Sequence, residues 1–493
     1  MTESTGGASR REILSLLGAG VATGAAALIL PYGSAAHAGG APPTGQCAPP
    51  AGKLKSGPGS YGNPIAFKPD KGPLRTRKSI TKDAAAAKKL DDAYKLMRAL
   101  PKTDPRSFDH QGDIHCWFCG MGTQIHGSYS FFPWHRAYLY FHEKILGGLL
   151  KDPTFALPYW DWAVDRAIPA PYRAGNLQNT TRDPGCNSGS KTLGDELIGA
   201  AALSRPLDGT TTAGFIGDAT HGGNFEFGPH GGVHVWAGGD MGQLDTAGHD
   251  TLFYGHHNNI DRYWAQWLGS GGGRANPSDA AWGKLSWKFY GPDEKWYVIT
   301  AKDVADTKGS LKMTWNHDPG EDPGARQGFF AREVESRQSG AGGGASSDDL
   351  EFTAGHSHST EPKHFKTALK PVHKKQLADL ATPYTLRVQD IEVPSNHGAI
   401  VKLHAAEVAD HKADHRAKHY MGYIAVVPRS KSPQAHHQHK LSMALDLHRD
   451  VRSHLTAGAE AHLTVVPSTI AHEKPHAMNF KHGRVFGHSH KKA

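Results

Sequence analysis

Two aromatic-rich stretches, 115–142 and 230–268, contain histidines whose spacing could close each set on one metal ion. Six of them are candidate ligands: His115, His126, His135, His230, His234 and His257. His230 and His234 are four residues apart, so on a helix both imidazoles lie on one face and can reach the same ion. Two such ions facing each other would form a binuclear metal centre.

The types of ligand narrow the choice of metal. Three neutral imidazoles per ion, with no carboxylate among the ligands, suit copper or zinc. Asp261, four residues after His257, could accept the second ring N–H of that histidine and fix its orientation. A two-zinc hydrolase is the alternative, although it would need bridging carboxylates that neither triplet supplies. Copper is redox-active and zinc is not, so chemistry with dioxygen would require copper.

Apolar periodicity predicts the elements that must position these histidines. Helices are predicted over 81–100, 136–150 and 258–268, which would place His257 at the start of the third, and residues 163–220 are predicted to be mostly loop. Short strands are predicted after residue 286, at 296–300, 311–315, 384–388, 399–403, 423–427 and 462–466. A Gly- and Ser-rich linker at 336–350 predicts a mainly α domain followed by a β-sandwich.

The N-terminus has the pattern of an export signal. Arg10 and Arg11 precede an apolar run at 16–30, and Ala36-His37-Ala38 is typical of a cleavage site. We interpret residues 1–38 as a twin-arginine signal peptide, which predicts a secreted protein. No later stretch reaches the ~18 apolar residues that a membrane span needs. The net charge of +8 comes without Lys/Arg runs interleaved with aromatics, so neither a membrane nor nucleic acid is a predicted partner.

Export would place the four cysteines in an oxidising compartment, where disulfides persist. They are Cys47, Cys116, Cys119 and Cys186, and three connectivities are open if all of them pair. Cys116 and Cys119 form a CxxC motif. Because no second CxxC exists, a zinc site built from two such motifs is excluded.

Longer motifs around the histidines carry a family resemblance. HCWFC, HGSYSFFPWHRAYLYFHEKIL, PHGGVHVW, GDMG and FYGHHNNIDRYW resemble the type-3 copper proteins, in particular the tyrosinases and catechol oxidases (polyphenol oxidases) of plant-like architecture. The resemblance implies two copper ions in a central four-helix bundle within residues 39–335. VKLHAAEVADHKADHRAKHYMGYIAVVP and AEAHLTVVPS are similar to the shielding domain of latent plant enzymes, which implies a jelly-roll-like β-sandwich over 351–493.

The resemblance also assigns the ligands and the cysteines. The first triplet would bind one copper and the second triplet the other. Of the pair His256–His257, the family pattern points to His257, whereas periodicity does not decide between them. The resemblance implies a thioether bond between Cys119 and His126. It also implies a disulfide between Cys116 and Cys47, which would leave Cys186 without an obvious partner.

Three further residues take roles from the resemblance. Glu226 matches the acidic residue that holds a water near the second copper, and it could act as the general base toward a phenol. Gly231 stands where the family has an asparagine associated with hydroxylation of monophenols. Leu244 maps to the gate residue, often phenylalanine, and would admit bulkier rings.

We therefore expect a latent enzyme that uses dioxygen to oxidise o-diphenols or o-aminophenols to o-quinones or quinone imines. A protease that cuts the linker would activate it. Three alternatives remain for the activity: hydroxylation of monophenols despite Gly231, haemocyanin-like oxygen binding without turnover, and the zinc hydrolase. The C-terminal domain could instead be a carbohydrate- or surface-binding module.

Overall fold

A computed structural model describes residues 64–120, 125–316, 350–353, 360–379, 382–393, 398–409, 414–428, 439–468 and 482–487. The predicted signal peptide, Cys47 and nearly all of the predicted linker lie outside these residues. The predicted boundaries of the domains therefore stay predictions.

The first part of the chain is mainly helical. Its α-helices are α1 (Ala84–Arg98), α2 (Phe108–His115), α3 (Phe131–Leu150), α4 (Pro184–Ser188), α5 (Asp195–Ile198), α6 (Ala200–Asp208), α7 (Thr212–Phe215), α8 (Gly231–Ala237), α9 (Thr251–Gly269), α10 (Ala280–Lys284) and α11 (Ala301–Ala305). Most of residues 163–220 lies outside α-helices, as the sequence predicts, but the four short helices α4 to α7 within this segment were not predicted. They have four to nine residues each, too short for periodicity to reveal.

Two helices begin earlier than their apolar periodicity indicates. Helix α3 begins at Phe131, and Pro133 fits because the N–H that proline lacks has no partner in the first turn of a helix. Helix α9 begins at Thr251, where the Asp250 carboxylate accepts a hydrogen bond from the Leu252 N–H at 2.9 Å. His257 consequently lies inside a helix. The prediction that it stands at the start of one was wrong.

Short strands complete the first part. Strands β1 (Ile65–Ala66), β4 (Trp296–Thr300) and β3 (Ser286–Tyr290) form one sheet in that order, and β2 (Arg75–Arg77) pairs in parallel with β5 (Met313–Trp315). The strands predicted near 296–300 and 311–315 are thus confirmed.

Beyond residue 350 the described chain is mainly antiparallel sheet. Its strands are β6 (Leu350–Thr353), β7 (Lys363–Ala368), β8 (Tyr384–Val393), β9 (Ala399–His404), β10 (Tyr420–Val426), β11 (His439–Asp446), β12 (Glu460–Ser468) and β13 (His482–Gly487). They form two four-stranded sheets, ordered β10-β9-β12-β7 and β11-β8-β13-β6. Helices α12 (Pro371–Ala378) and α13 (Arg449–Leu455) accompany them.

This architecture confirms the predicted helical core and C-terminal β-sheets. The four-helix bundle and the jelly-roll topology stay predictions. Among the described residues, no helix has both the length and the apolar character that crossing a bilayer requires.

A buried ion pair joins the two long helices. The Arg136 Nε of α3 donates to the Asp261 Oδ1 of α9 at 2.6 Å, and both side chains are almost fully buried. The Arg77 Nη1 lies 3.5 Å from the second oxygen of the same carboxylate. The prediction that Asp261 accepts a hydrogen bond from His257 was therefore wrong. Asp261 faces two arginines, and its role is to hold α3 against α9.

Candidate metal centre

The first predicted triplet comes together around the start of α3. His115 ends α2, His126 precedes α3, and His135 lies in its second turn. The ring centroids are 5.7 Å apart for His115–His126, 5.7 Å for His115–His135 and 5.2 Å for His126–His135. One ligand atom from each histidine, and the Cys119 Sγ, all lie within 4.8 Å of one another.

The second triplet forms a matching cluster between α8 and α9. His230 directly precedes α8, His234 lies within it, and His257 comes from α9. Together with His256, they offer ring nitrogens that all lie within 4.8 Å of one another. His234 Nε2 and His257 Nε2 are 3.1 Å apart.

Backbone carbonyls fix the orientation of three of these rings. His135 Nδ1 lies 2.8 Å from the Phe131 carbonyl oxygen, and His230 Nδ1 lies 2.9 Å from that of Glu226. His234 Nδ1 lies 2.7 Å from the Met241 carbonyl oxygen. Since a carbonyl only accepts, each Nδ1 carries the proton, which leaves the lone pair on Nε2.

The free nitrogens indicate what these clusters hold. His135 Nε2 and His230 Nε2 are buried and find no hydrogen-bond partner within the described part of the protein. Buried polar atoms are normally paired, so lone pairs that converge without donors fit a metal ion. The donor set is imidazole nitrogen, which suits copper.

Burial keeps these imidazoles neutral, as metal ligation requires. Desolvation lowers the pKa of His135 to about 3 and that of His234 to about 4. It also lowers the pKa values of His115, His230 and His257 far below their ordinary range, and neighbouring histidines add to the effect. At neutral pH each of these rings therefore keeps one nitrogen lone pair that can bind a metal ion.

The two clusters face each other. The rings of His135 and His257 stack at 4.2 Å with 14° between their planes, and those of His126 and His230 stack at 5.7 Å with 19°. Phe131 and Phe253 pack on the clusters from two sides. These two rings were not among the predicted site residues, although each stands four residues before a predicted ligand. Two ions held here would share one dry, aromatic-lined space.

His256 and His257 occupy different positions although they are adjacent in the chain. His256 stacks on His230 with the ring centroids 5.5 Å apart, and it lies near Trp162. His257 contacts both clusters, through His135 and His234. The geometry thus favours His257 over His256 as the third ligand of the second predicted triplet.

The cysteines separate into different environments. The Cys119 Sγ is buried beside the first cluster and makes no disulfide, so a thioether bond to His126 stays a prediction. Cys116 is disulfide-bonded. Its predicted partner, Cys47, lies outside the described residues, and this pairing stays a prediction as well. Cys186 is buried without a disulfide, with its Sγ 3.3 Å from the Trp236 carbonyl oxygen.

Glu226 contacts both histidine stretches, through Gly127 in the first and His230 in the second. Its Oε1 accepts from the Gly127 N–H at 2.7 Å, directly after His126. Its Oε2 is buried and finds no hydrogen-bond partner within the described part of the protein. Burial raises the pKa of Glu226 well above its ordinary value, and the bond from Gly127 offsets this only in part.

A strand of the C-terminal part lies over the second cluster. A Cβ at Gly231 would stand 2.7 Å from the Ala425 carbonyl oxygen of β10, and one at Gly232 would stand 2.6 Å from the Tyr423 hydroxyl. The predicted gate, Leu244, donates its backbone N–H to the Pro428 carbonyl at 2.8 Å. The sequence predicted β10 as a strand, but no signal in it showed where this strand docks.

Comparisons with known proteins agree with this site. The family model "Common central domain of tyrosinase" matches residues 105–212 and 176–270. A chloroplastic polyphenol oxidase of Malus domestica is 33% identical over 315 residues, which are 55% of this chain and 51% of that protein. Polyphenol oxidase II of Ipomoea batatas is 32% identical over 361 residues, 61% of this chain and 60% of that protein. The chain thus spans about half to three fifths of the length of these curated relatives.

Solved structures extend the likeness to the C-terminal sheets. The structure of a latent apple tyrosinase has a TM-score of 0.70 at 25% identity, and covers 87% of this chain and 100% of that one. A latent aurone synthase matches with a TM-score of 0.70 at 23% identity, over 92% of this chain and 96% of that one, and shows the shared fold. With its two facing histidine clusters, the chain contains the common central domain of tyrosinase over residues 105–270 and is similar to the polyphenol oxidases, which are type-3 copper proteins.

Proposed function

We propose that the protein oxidises o-diphenols or o-aminophenols with dioxygen at two copper ions. His115, His126 and His135 would hold the first copper, and His230, His234 and His257 the second. The observation that carries the proposal is the convergence of buried, neutral imidazole nitrogens from both clusters on one space. The copper pair would supply the redox chemistry, in which two diphenols lose two electrons each and one dioxygen becomes two waters.

The protein's own groups would position the phenol and take its proton. Glu226 Oε2 is the unpaired buried acceptor beside the second cluster, and its neighbour Gly127 fixes the other oxygen. The aromatic walls formed by Phe131 and Phe253 would exclude water and orient a planar ring. Haemocyanin-like storage of oxygen is disfavoured, because Glu226 gives the site a group suited to proton transfer from a substrate.

Gly231 bears on the choice between diphenols and monophenols. An asparagine at this place would collide with β10, because even a Cβ would stand 2.7 Å from the Ala425 carbonyl oxygen. A relative 33% identical over 255 residues is named (+)-larreatricin hydroxylase, so the family includes a hydroxylase. We propose that this protein acts mainly on diphenols.

The activity can be tested directly on copper-loaded protein that is cut at the predicted linker. We expect oxygen uptake with catechol at once, and slower uptake after a lag with tyramine. An equal rate on both substrates without a lag would contradict the preference for diphenols. A stable oxygenated form without turnover of catechol would overturn the oxidase proposal and support oxygen storage.

We further propose that the C-terminal sheets keep the enzyme latent. Strand β10 contacts Gly231 and Gly232 beside the second cluster, and Tyr423 donates its hydroxyl to the Leu197 carbonyl at 2.8 Å. Strand β11 adds hydrogen bonds between the Gly222 N–H and the Ser442 carbonyl at 3.2 Å and between the Ala444 N–H and the Gly222 carbonyl at 3.0 Å. We propose that opening of these contacts gives a substrate access to the site. If the C-terminal domain were instead a carbohydrate- or surface-binding module, its removal would leave the activity unchanged.

Loosening this cover should raise the activity of the uncut protein. Asp446 accepts hydrogen bonds from the Thr211 backbone N–H at 3.1 Å and from the Thr211 hydroxyl. If Asp446→Ala weakens the closed state by about 1.4 kcal/mol, the open fraction rises about tenfold, and so does the catechol rate. Glu460→Ala is the matched control, since its carboxylate pairs with Lys366 at 3.4 Å within the C-terminal part. Equal rates for both variants would contradict a cover held by this contact.

Export by the twin-arginine route also stays a proposal. It rests on the sequence pattern of residues 1–38. Its predicted benefit is that a folded, copper-loaded protein can cross the membrane. Copper analysis of the protein found in the medium would test it, since apoprotein there would contradict loading before export.

A further inference from the structure

A second group of histidines lies on the C-terminal sheet, outside the candidate copper centre. His364 of β7 is paired with Thr464 of β12, and His462 is two residues before Thr464, so all three side chains share one face of the sheet. His364 Nε2 lies 3.0 Å from His462 Nδ1, and the rings stack at 5.1 Å with 24° between their planes.

A carboxylate from a third segment completes this group. The Glu407 Oε2 lies 3.8 Å from His364 Nε2. Glu407 follows strand β9, which is the other neighbour of β12 in this sheet. One ligand atom from each of His364, Glu407 and His462 lies within 4.8 Å of the others. Three adjoining segments of the sheet thus bring two nitrogens and one oxygen to one point.

The hydroxyl of Thr464 determines which nitrogen of His364 is free. Thr464 Oγ1 donates to the Ala406 carbonyl oxygen at 2.5 Å, so its one proton is used there. It must therefore accept from His364 Nδ1, which lies 2.9 Å away. The lone pair of His364 is then on Nε2, the atom that faces His462 and Glu407. Burial also lowers the pKa of His364, which keeps the ring neutral.

The spacing of these atoms suits a tetrahedral ion. At a Zn–N distance of about 2.05 Å, two ligand atoms stand roughly 3.3 Å apart, close to the observed separation of the two nitrogens. Without metal, the His462 Nδ1–H donates to His364 Nε2. With metal, that proton would move to His462 Nε2, and both lone pairs would face the ion. The half-exposed position leaves the fourth place to water.

We propose that His364, His462 and Glu407 form a third metal site, which binds one divalent Zn²⁺ or Cu²⁺ ion and cross-links β7, β12 and the segment after β9. Two imidazoles and a carboxylate are ligands that both ions accept. The site would stabilise the C-terminal sheet without taking part in the oxidation.

Metal analysis of the full-length, copper-loaded protein tests the proposal. After dialysis against Zn²⁺, the wild type should retain one zinc per chain more than the double variant His364→Ala/His462→Ala. His415→Ala is the matched control, because its ring lies 4.0 Å from the carboxylate of Asp414 and belongs to no histidine cluster that the structure describes. This control should retain as much zinc as the wild type. Zinc bound by other histidines cancels when the content of the double variant is subtracted from that of the wild type.

A milder variant guards against misfolding. Glu407→Gln changes a side chain that is 75% exposed, so it should fold normally, and it should weaken Zn²⁺ binding roughly tenfold or more. Cu²⁺ added as a second probe should give an electron paramagnetic resonance signal of a single ion with nitrogen coupling in the wild type only. Equal zinc in the wild type and the double variant, or an unchanged affinity in Glu407→Gln, would overturn the site and leave only a hydrogen-bonded histidine pair.

Discussion

Replacing His257 with alanine should remove the second copper and lower the rate of catechol oxidation by about 10³-fold or more, whereas His256→Ala should keep both coppers. The reason is geometric. His257 Nε2 stands 3.1 Å from His234 Nε2, and its ring stacks on His135 of the first cluster. His256 instead stacks on His230 and has no ring contact with the first triplet among the described residues.

Copper analysis and oxygen uptake on linker-cut protein would measure the two effects separately. Both side chains are buried inside α9, so both variants carry a similar cost in stability, and each serves as the control for the other. Loss of one copper per chain in His256→Ala, with two retained in His257→Ala, would reverse the assignment. Loss in both variants to the same extent would mean that the helix, not one ligand, had failed.

Glu226→Gln should retain two coppers and lose about 10²-fold in kcat/KM for catechol, because the amide cannot take a proton from the phenol. The pH profile supplies a second readout, since the ionisation that belongs to Glu226 should disappear from it. Glu226→Asp should recover part of the rate. Glu294→Gln, an exposed carboxylate paired with Arg106 at 2.7 Å, is the control that should leave the rate unchanged. Full activity in Glu226→Gln would remove this residue from the mechanism.

The metal-free protein offers a test of the same residue that does not depend on turnover. Burial raises the pKa of Glu226 well above its ordinary value of 4.5, so the folded state binds this proton more tightly than the unfolded state does. The contribution of Glu226 to the free energy of unfolding is therefore largest in acid and falls as the pH rises above 4.5. Glu226→Gln should be more stable than the wild type at neutral pH, and the difference should vanish in acid. Denaturant unfolding at two pH values would measure it.

The sequence by itself predicted the two groups of histidines that the fold brings together, and the division into a helical part and C-terminal β-sheets. Residue type and spacing are enough for this, because His230 and His234 share a helix face wherever the helix lies. The pattern also placed β10 as a strand. It misjudged the start of α9, since the Asp250 cap that begins this helix lies beyond the apolar period.

The tertiary structure alone decided the contacts between distant segments. Asp261 pairs with Arg136 and not with His257, because charge pairing between α3 and α9 depends on how the two helices cross. The tertiary structure brought the His257 ring against His135 and His234, and the His256 ring against His230 and Trp162. It also placed Ala425 beside Gly231, nearly two hundred residues away in the chain. Spacing along the chain carries no information about which surfaces meet, since docking depends on the shape and charge of whole folded faces.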